Sequence, residues 1–228
     1  MLHVHSGDCA ANLLTAAGVG GIQAVWTELL MEGPLRPSLG LDAFRAERAV
    51  VLSQSTGGAR TPAQCRERLR RQDESLNCWR EHDETVLWVD ACLYDQAILV
   101  RLLAWFAEVP EALPRLRLVC AGTHPDVPEF HGLGQLSPGQ MAALLPTRQP
   151  VSRAQLDLAC RAWRAMCSNA PRDLEVLARG PTPELPYLQA ALRRWLEQYP
   201  STANGLCRLQ QEVLMALPVS KTCWYSVM

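Results

Sequence analysis

Thr85-Val86-Leu87-Trp88-Val89 is an unbroken apolar run of strand length, closed by Asp90. A strand with no polar alternation has both faces covered, as central strands of a parallel sheet do. Helical spacing takes over soon afterwards: from Asp95 to Ala107, Ile98, Leu99, Leu102, Leu103 and Phe106 fall on one side. Leu116 to Ala121 then supplies a further strand. Toward the N-terminus, Leu2 to His5 alternates as a short strand does, and Gly7-Asp8 ends it. Ala10, Ala11, Leu13, Leu14 and Ala17 follow on one helical face, and Ile22 to Trp26 reads as the second strand. The alternation β-α-β-α-β-α-β predicts an α/β fold: an open, mainly parallel sheet of about four strands, flanked by helices through right-handed crossovers.

The glycines at 18, 20 and 21 follow the first helix, so they form its C-terminal turn and not a dinucleotide fingerprint, which needs them before the helix. From Gly33 to about Gly58 the chain carries Pro34, Pro37, Gly40 and Gly57-Gly58, with a short helix around Asp42 to Arg48. This reads as a long surface excursion. Thr61-Pro62-Ala63-Gln64 is a capping box with proline at the first helical position, opening a helix to about residue 80. Its outer face holds Arg66, Arg68, Arg70 and Arg71 among Glu67, Asp73 and Glu74, a mixed pattern that reads as a solvated face.

Beyond Gly122 the strand pattern stops. A second capping box at Ser152-Arg153-Ala154-Gln155 precedes an amphipathic helix, and Pro186 to Tyr199 gives another, with Trp163 and Trp195 on the apolar stripes. The expected organisation is an α/β domain over residues 1–122, of Rossmann-like or flavodoxin-like kind, then a loop and short helix over 123–148. An all-helical C-terminal domain over 149–217 and an irregular tail over 218–228 complete it.

Among its 228 residues, 22 basic side chains face 23 acidic ones, and 48% of the chain is hydrophobic. A near-neutral balance gives no general field for a phosphate backbone or an anionic membrane, so indiscriminate binding to nucleic acid or lipid is not expected. No apolar run is long enough to cross a bilayer, and the first eight residues lack the basic start and apolar stretch of a signal peptide. A cytoplasmic protein is the expectation. The nine cysteines contain no C-x-x-C pair, which argues for free thiols in a reducing compartment over zinc or dithiol chemistry.

Ligands of open parallel sheets bind beyond the carboxyl ends of the strands, where strand order reverses. The first and third strands end at Gly7-Asp8 and Asp90; if they are neighbours, both carboxylates face one crevice. Two acids there can hold a divalent cation, orient a ribose or amine, or divide into acid and base. Capping of the helix that follows is the alternative for each. Both readings stand for Asp8, whereas Asp95 is the better cap beside Asp90. The candidate ligand-binding residues are Gly7, Asp8, Glu28, Asp90, Tyr94, Asp95 and Gln96, with no cofactor identified and no metal assigned. His3 and His5 share a strand face near Cys9, but alternate strand histidines are more often packed side chains. His124 and His131, with Asp126 and Glu129, lie at the same sheet edge without diagnostic spacing. There is no G-x-S-x-G elbow and no Walker lysine.

Four stretches together resemble a bacterial family of uncharacterised proteins, domain-of-unknown-function family 1835. They are L-H-V-H-S-G-D-C-A-A at the start, W-T-E-L-L-M-E-G-P-L from Trp26, V-L-W-V-D-A-C-L-Y-D-Q from Val86, and L-P-Y-L-Q-A-A-L-R-R-W-L-E-Q-Y-P-S-T-A-N-G-L from Leu185. The resemblance spans roughly residues 1 to 217 and implies an α/β domain followed by helices, with polar motifs at the strand ends. It brings no established activity. The family pattern places an acid, a histidine and an acid where this chain has Asp90, Ala91 and Cys92, so a catalytic or metal unit there would be degenerate here. Near the C-terminus the pattern continues toward a helix-turn-helix. Here Cys207 replaces a capping serine, and 218–228 reads as a truncated or frameshifted end.

The function expected is binding of a small polar or phosphorylated ligand at the strand carboxyl ends, in a regulatory role. Alternatives are a metal-assisted hydrolase or transferase using Asp8 and Asp90, and a DNA-associated regulator acting through a partial helix-turn-helix. The partner expected is a small molecule, with neither membrane nor nucleic acid, and the oligomeric state is open.

Overall fold

Backbone hydrogen bonds join β1 (Leu2–His5), β2 (Ile22–Val25), β3 (Thr85–Asp90) and β4 (Leu116–Ala121) in parallel, in the order β2-β1-β3-β4. Residues 1–217 are described by the structure, a computed structural model. Every residue of β3 is buried, and the two faces of the strand enter different cores. Val86 and Trp88 join Ala10 and Leu14 of α1 (Asp8–Ala16) and Met141 of α5 (Pro138–Ala143). Leu87 and Val89 turn the other way, toward Ile98, Leu99 and Leu102 of α4 (Leu93–Ala107). The sheet is thus covered on both sides, as the apolar run at Thr85 requires.

A fifth strand, β5 (Gln149–Pro150), pairs antiparallel with β4 at the sheet edge. Four strands are legible in the sequence because each carries an apolar pattern. Gln149-Pro150 carries none and is exposed, and a proline, lacking an N–H, is tolerated at just such an edge.

The expected excursion between residues 33 and 58 is corrected in part. α2 (Leu41–Ser55) is a 15-residue helix, longer than the short helix expected around Asp42 to Arg48, and it packs against α3 (Pro62–Asn77). Its inward positions are Phe44, Arg48, Ala49 and Ser53, so a fully buried arginine interrupts the apolar stripe that marks other helices. The Thr61 capping box forms as expected.

α6 (Arg153–Met166), α7 (Pro171–Arg179) and α8 (Leu188–Leu196) make up the helical C-terminal region. They do not enclose a core of their own. Leu156, Trp163, Leu188 and Leu192 belong to the same buried cluster as Leu2, Val4 and α4. The Tyr187 ring lies against Gly122 so closely that a Cβ there would overlap it. α9 (Arg208–Ala216) buries no residue. The tail expected over 218–228 lies outside the described residues. No helix among the described residues is long and apolar enough to cross a membrane.

Candidate functional site

The chain steps from β1 outward to β2 and then returns to place β3 on the other side of β1, so strand order reverses between β1 and β3. Loops leaving those strands diverge, and a crevice opens at their carboxyl ends. Ser6-Gly7 leaves β1 there, and Ala91-Cys92 leaves β3. The structure divides six of the seven candidate residues between a closed side and an open side of this crevice and leaves Asp8 outside it.

Asp90, Asp95 and Gln96 lie on the closed side, all buried. Asp90 Oδ1 accepts from the Cys92 N–H at 2.9 Å and Oδ2 from the Leu133 N–H at 3.2 Å. The loop bearing Leu133 comes so near that a Cβ on Gly132 would stand 2.5 Å from Asp90 Oδ2. Asp95 Oδ2 accepts from the Asp90 N–H at 2.7 Å, and Gln96 Nε2 donates to the Asp90 carbonyl at 2.6 Å. Burial and the neighbouring Asp90 charge push the Asp95 carboxyl up to about 6, against hydrogen bonding from Ser6. Asp90, Cys92 and Asp95 bring their ligand-type atoms within 4.8 Å of one another. The backbone donors already occupy both oxygens of Asp90, and the group serves to fold the β3–α4 turn.

The cap of α4 is therefore not Asp95. Cys92 holds that position, its Sγ accepting from the Asp95 N–H at 3.4 Å. Asp8 likewise is neither cap nor crevice residue: Gly7 occupies the N-cap of α1 without a side-chain bond, and Asp8 is exposed in the first turn. Asp8 and Asp90 are not brought together as an acid pair. His3 Nδ1 accepts from Trp88 Nε1 at 3.1 Å, and His5 Nε2 pairs with Gln23 Oε1 at 2.7 Å, so both histidines are packed side chains. Desolvation pushes His5 down to about 4. In the loop after β4, His124 Nδ1 accepts from the Asp126 N–H at 3.2 Å.

The open side is a cavity of about 310 Å³ at the ends of β1 and β2. Gly7, Glu28 and Tyr94 line it, together with Ser6, Thr27, Thr56, Arg60 and Arg68, while Leu29, Leu52, Cys65 and Leu69 supply its apolar wall. Glu28 is 4% exposed, and its Oε1 accepts from Arg48 Nε. Arg48 completes its donors on three carbonyls, those of Leu29 at 2.8 Å, Glu32 at 2.6 Å and Pro34 at 3.1 Å. The arginine thus straps the segment after β2 onto α2. Burial raises the Glu28 carboxyl, and Arg48 opposes the rise. Tyr94 is pushed up to about 12 by burial and by Asp95.

The arginines of α3 divide into paired and unpaired ones, and exposed Arg66 outside the cavity is unpaired as well among the described residues. Arg70 and Arg71 pair with Glu67 and Glu74 along α3. Neither Arg60 nor Arg68 has a carboxylate partner among the described residues, and Arg68 Nη2 donates to Thr27 Oγ1 at 2.5 Å. Read as part of a solvated face, Arg68 escapes notice in the sequence. Its separation from Glu67 and Glu74 is a matter of helix phase, which the charge count along α3 averages away. Arg60, directly before the Thr61 cap, gives no signal of its own.

Comparison with family models, with curated proteins and with solved structures finds no match for this chain.

Proposed function

We propose that the chain binds a small polar, phosphorylated ligand in the cavity at the ends of β1 and β2, as a regulatory protein of the cytoplasm. The carrying observation is that two arginines without carboxylate partners, Arg60 and Arg68, line a cavity at the point where strand order reverses. A cation left unpaired beside the Thr27 hydroxyl, which accepts from Arg68 and keeps its own O–H to donate, is a receptor for an anion, and a guanidinium matches phosphate oxygens in geometry as well as charge. Membership of domain-of-unknown-function family 1835 belongs to the same proposal, supported by ordered motifs whose polar residues stand at these strand ends. The metal-assisted reading draws no support from Asp8, which is exposed, or from Asp90, whose oxygens receive backbone donors.

Thermal unfolding with inorganic phosphate tests the proposal. At about 100 times its dissociation constant, phosphate adds about 2.7 kcal/mol, a rise of roughly 5 to 10 °C in a chain of this size. The Arg60→Ala, Arg68→Ala double variant is expected to lose that rise and Arg70→Ala to keep it. Equal stabilisation of all three proteins, or of none, contradicts the proposal.

A further inference from the structure

The cavity offers more than a phosphate needs. Glu28, more than nine-tenths buried, lines it from the end of β2. Arg48 takes Oε1, and the remaining lone pairs of the carboxylate ask for donors. A cationic donor is disfavoured there, since Arg48 already pairs with this acid and Arg101 adds a second positive charge nearby. Neutral hydroxyls suit it. A carboxylate at the end of the second strand stands where, in sheets of this kind, an acid accepts hydrogen bonds from a sugar diol. The anion itself belongs by the arginines: Asp8 in the first turn of α1 sets a negative charge at the helix end that would otherwise receive it. At about 310 Å³ the cavity lies at the lower limit of small-molecule sites, roughly 300 to 1,000 Å³, too small for a dinucleotide.

From this juxtaposition we infer that the site takes a phosphomonoester bearing a sugar diol, its phosphate on Arg60 and Arg68 and its hydroxyls on Glu28. This rests on the reading of the cavity as a phosphate site. Nucleoside monophosphates and free pentose phosphates share the chemistry, and the apolar wall of Leu29, Leu52 and Leu69 is available to the base of the first.

Calorimetric titration of the full chain with adenosine monophosphate, its 2′-deoxy analogue, ribose 5-phosphate and inorganic phosphate separates the possibilities. Adenosine monophosphate is expected to bind about tenfold more tightly than the deoxy analogue, the loss of one hydrogen bond to a charged acceptor. Glu28→Gln is expected to erase that ratio. Because this variant leaves Arg48 buried without its anion and threatens folding, the ratio measured on the unaltered protein is the deciding reading. Where that ratio is found, ribose 5-phosphate as tight as the nucleotide assigns the diol site to a sugar phosphate, and weaker binding assigns it to a nucleotide. Equal affinity for the ribo and deoxy ligands, with phosphate binding still dependent on Arg60 and Arg68, overturns the diol and leaves the phosphate site standing. Absence of binding by all four overturns both.

Discussion

Glu28 and Asp90 leave the strands on either side of β1 as buried carboxylates, 4% and 8% exposed, yet they sit in opposite kinds of surroundings. Glu28 is answered by a charge, the Arg48 guanidinium, whose other donors hold three carbonyls of the same segment. Asp90 is answered by backbone N–H groups of Cys92 and Leu133, with a second carboxylate, Asp95, as its neighbour. An ion pair satisfies a carboxylate from one side and leaves its other face to a cavity. A carboxylate wrapped in backbone donors fills its own space. Two buried acids near neighbouring strand ends, a glutamate and an aspartate, thus differ: one keeps a face to the cavity and the other is enclosed by the turn it joins.

Removing the counter-charge exerts the largest effect. Arg48→Met leaves Glu28 buried without its cation and three carbonyls without their donor, and is expected to cost about 3 to 5 kcal/mol in urea unfolding. A loss below about 1 kcal/mol would mean that Glu28 does not depend on the pair.

Acid titration distinguishes the Asp95 environment next. Asp95 titrates near 6 when folded and 3.8 ordinarily, so the folded state binds more protons between those values, and stability falls as pH rises through that window. His5 titrates near 4 against 6.5, so its contribution is present above 6.5 and lost as pH falls toward 4. Each shift is worth about 3 kcal/mol, and the two oppose. His3 adds to the side of His5, and Glu28 to that of Asp95. The unaltered chain is expected to show little net slope between pH 4 and 6.5, while Asp95→Asn unmasks an acid loss of about 3 kcal/mol. If the variant tracks the parent across this range, Asp95 titrates as an ordinary carboxylate.

Two glycines give a smaller contrast. Gly132→Ala brings a Cβ to 2.5 Å from Asp90 Oδ2 and must push the loop off it, at about 1 to 3 kcal/mol. Gly7, on the open side, has nothing within 4 Å of such a Cβ and an extended backbone. Gly7→Ala is expected to leave stability within about 0.5 kcal/mol. Similar losses in both variants would remove the distinction between a closed and an open side.

Much of the fold is written in local periodicity. β3, α1 and α4 follow from apolar spacing, because most of their inward positions are apolar and most of the buried polar ones gather at the β3–α4 turn. α2 escapes in length because Arg48 occupies an inward position, and β5 because Gln149-Pro150 pairs without any apolar side chain to announce it. The site is legible in part: Gly7, Glu28 and Tyr94 line the cavity, while Asp90, Asp95 and Gln96 are absorbed by the β3–α4 turn and Asp8 faces solvent. Which acid stays open depends on where the distant loop at Gly132-Leu133 lands, and that is a tertiary fact. Arg60 and Arg68 are hidden for a related reason: their lack of an acidic partner exists only once α3 is set against the end of β2.

Amide chemical shifts of the isotope-labelled chain, followed while inorganic phosphate is titrated in, bear most directly on the division between the two sides. Saturable shifts are expected at Ser6, Gly7, Thr27, Leu29 and Arg68, with Asp90, Cys92 and Leu133 unmoved. The largest shifts at Asp90, Cys92 and Leu133, with Thr27 and Arg68 still, would contradict it.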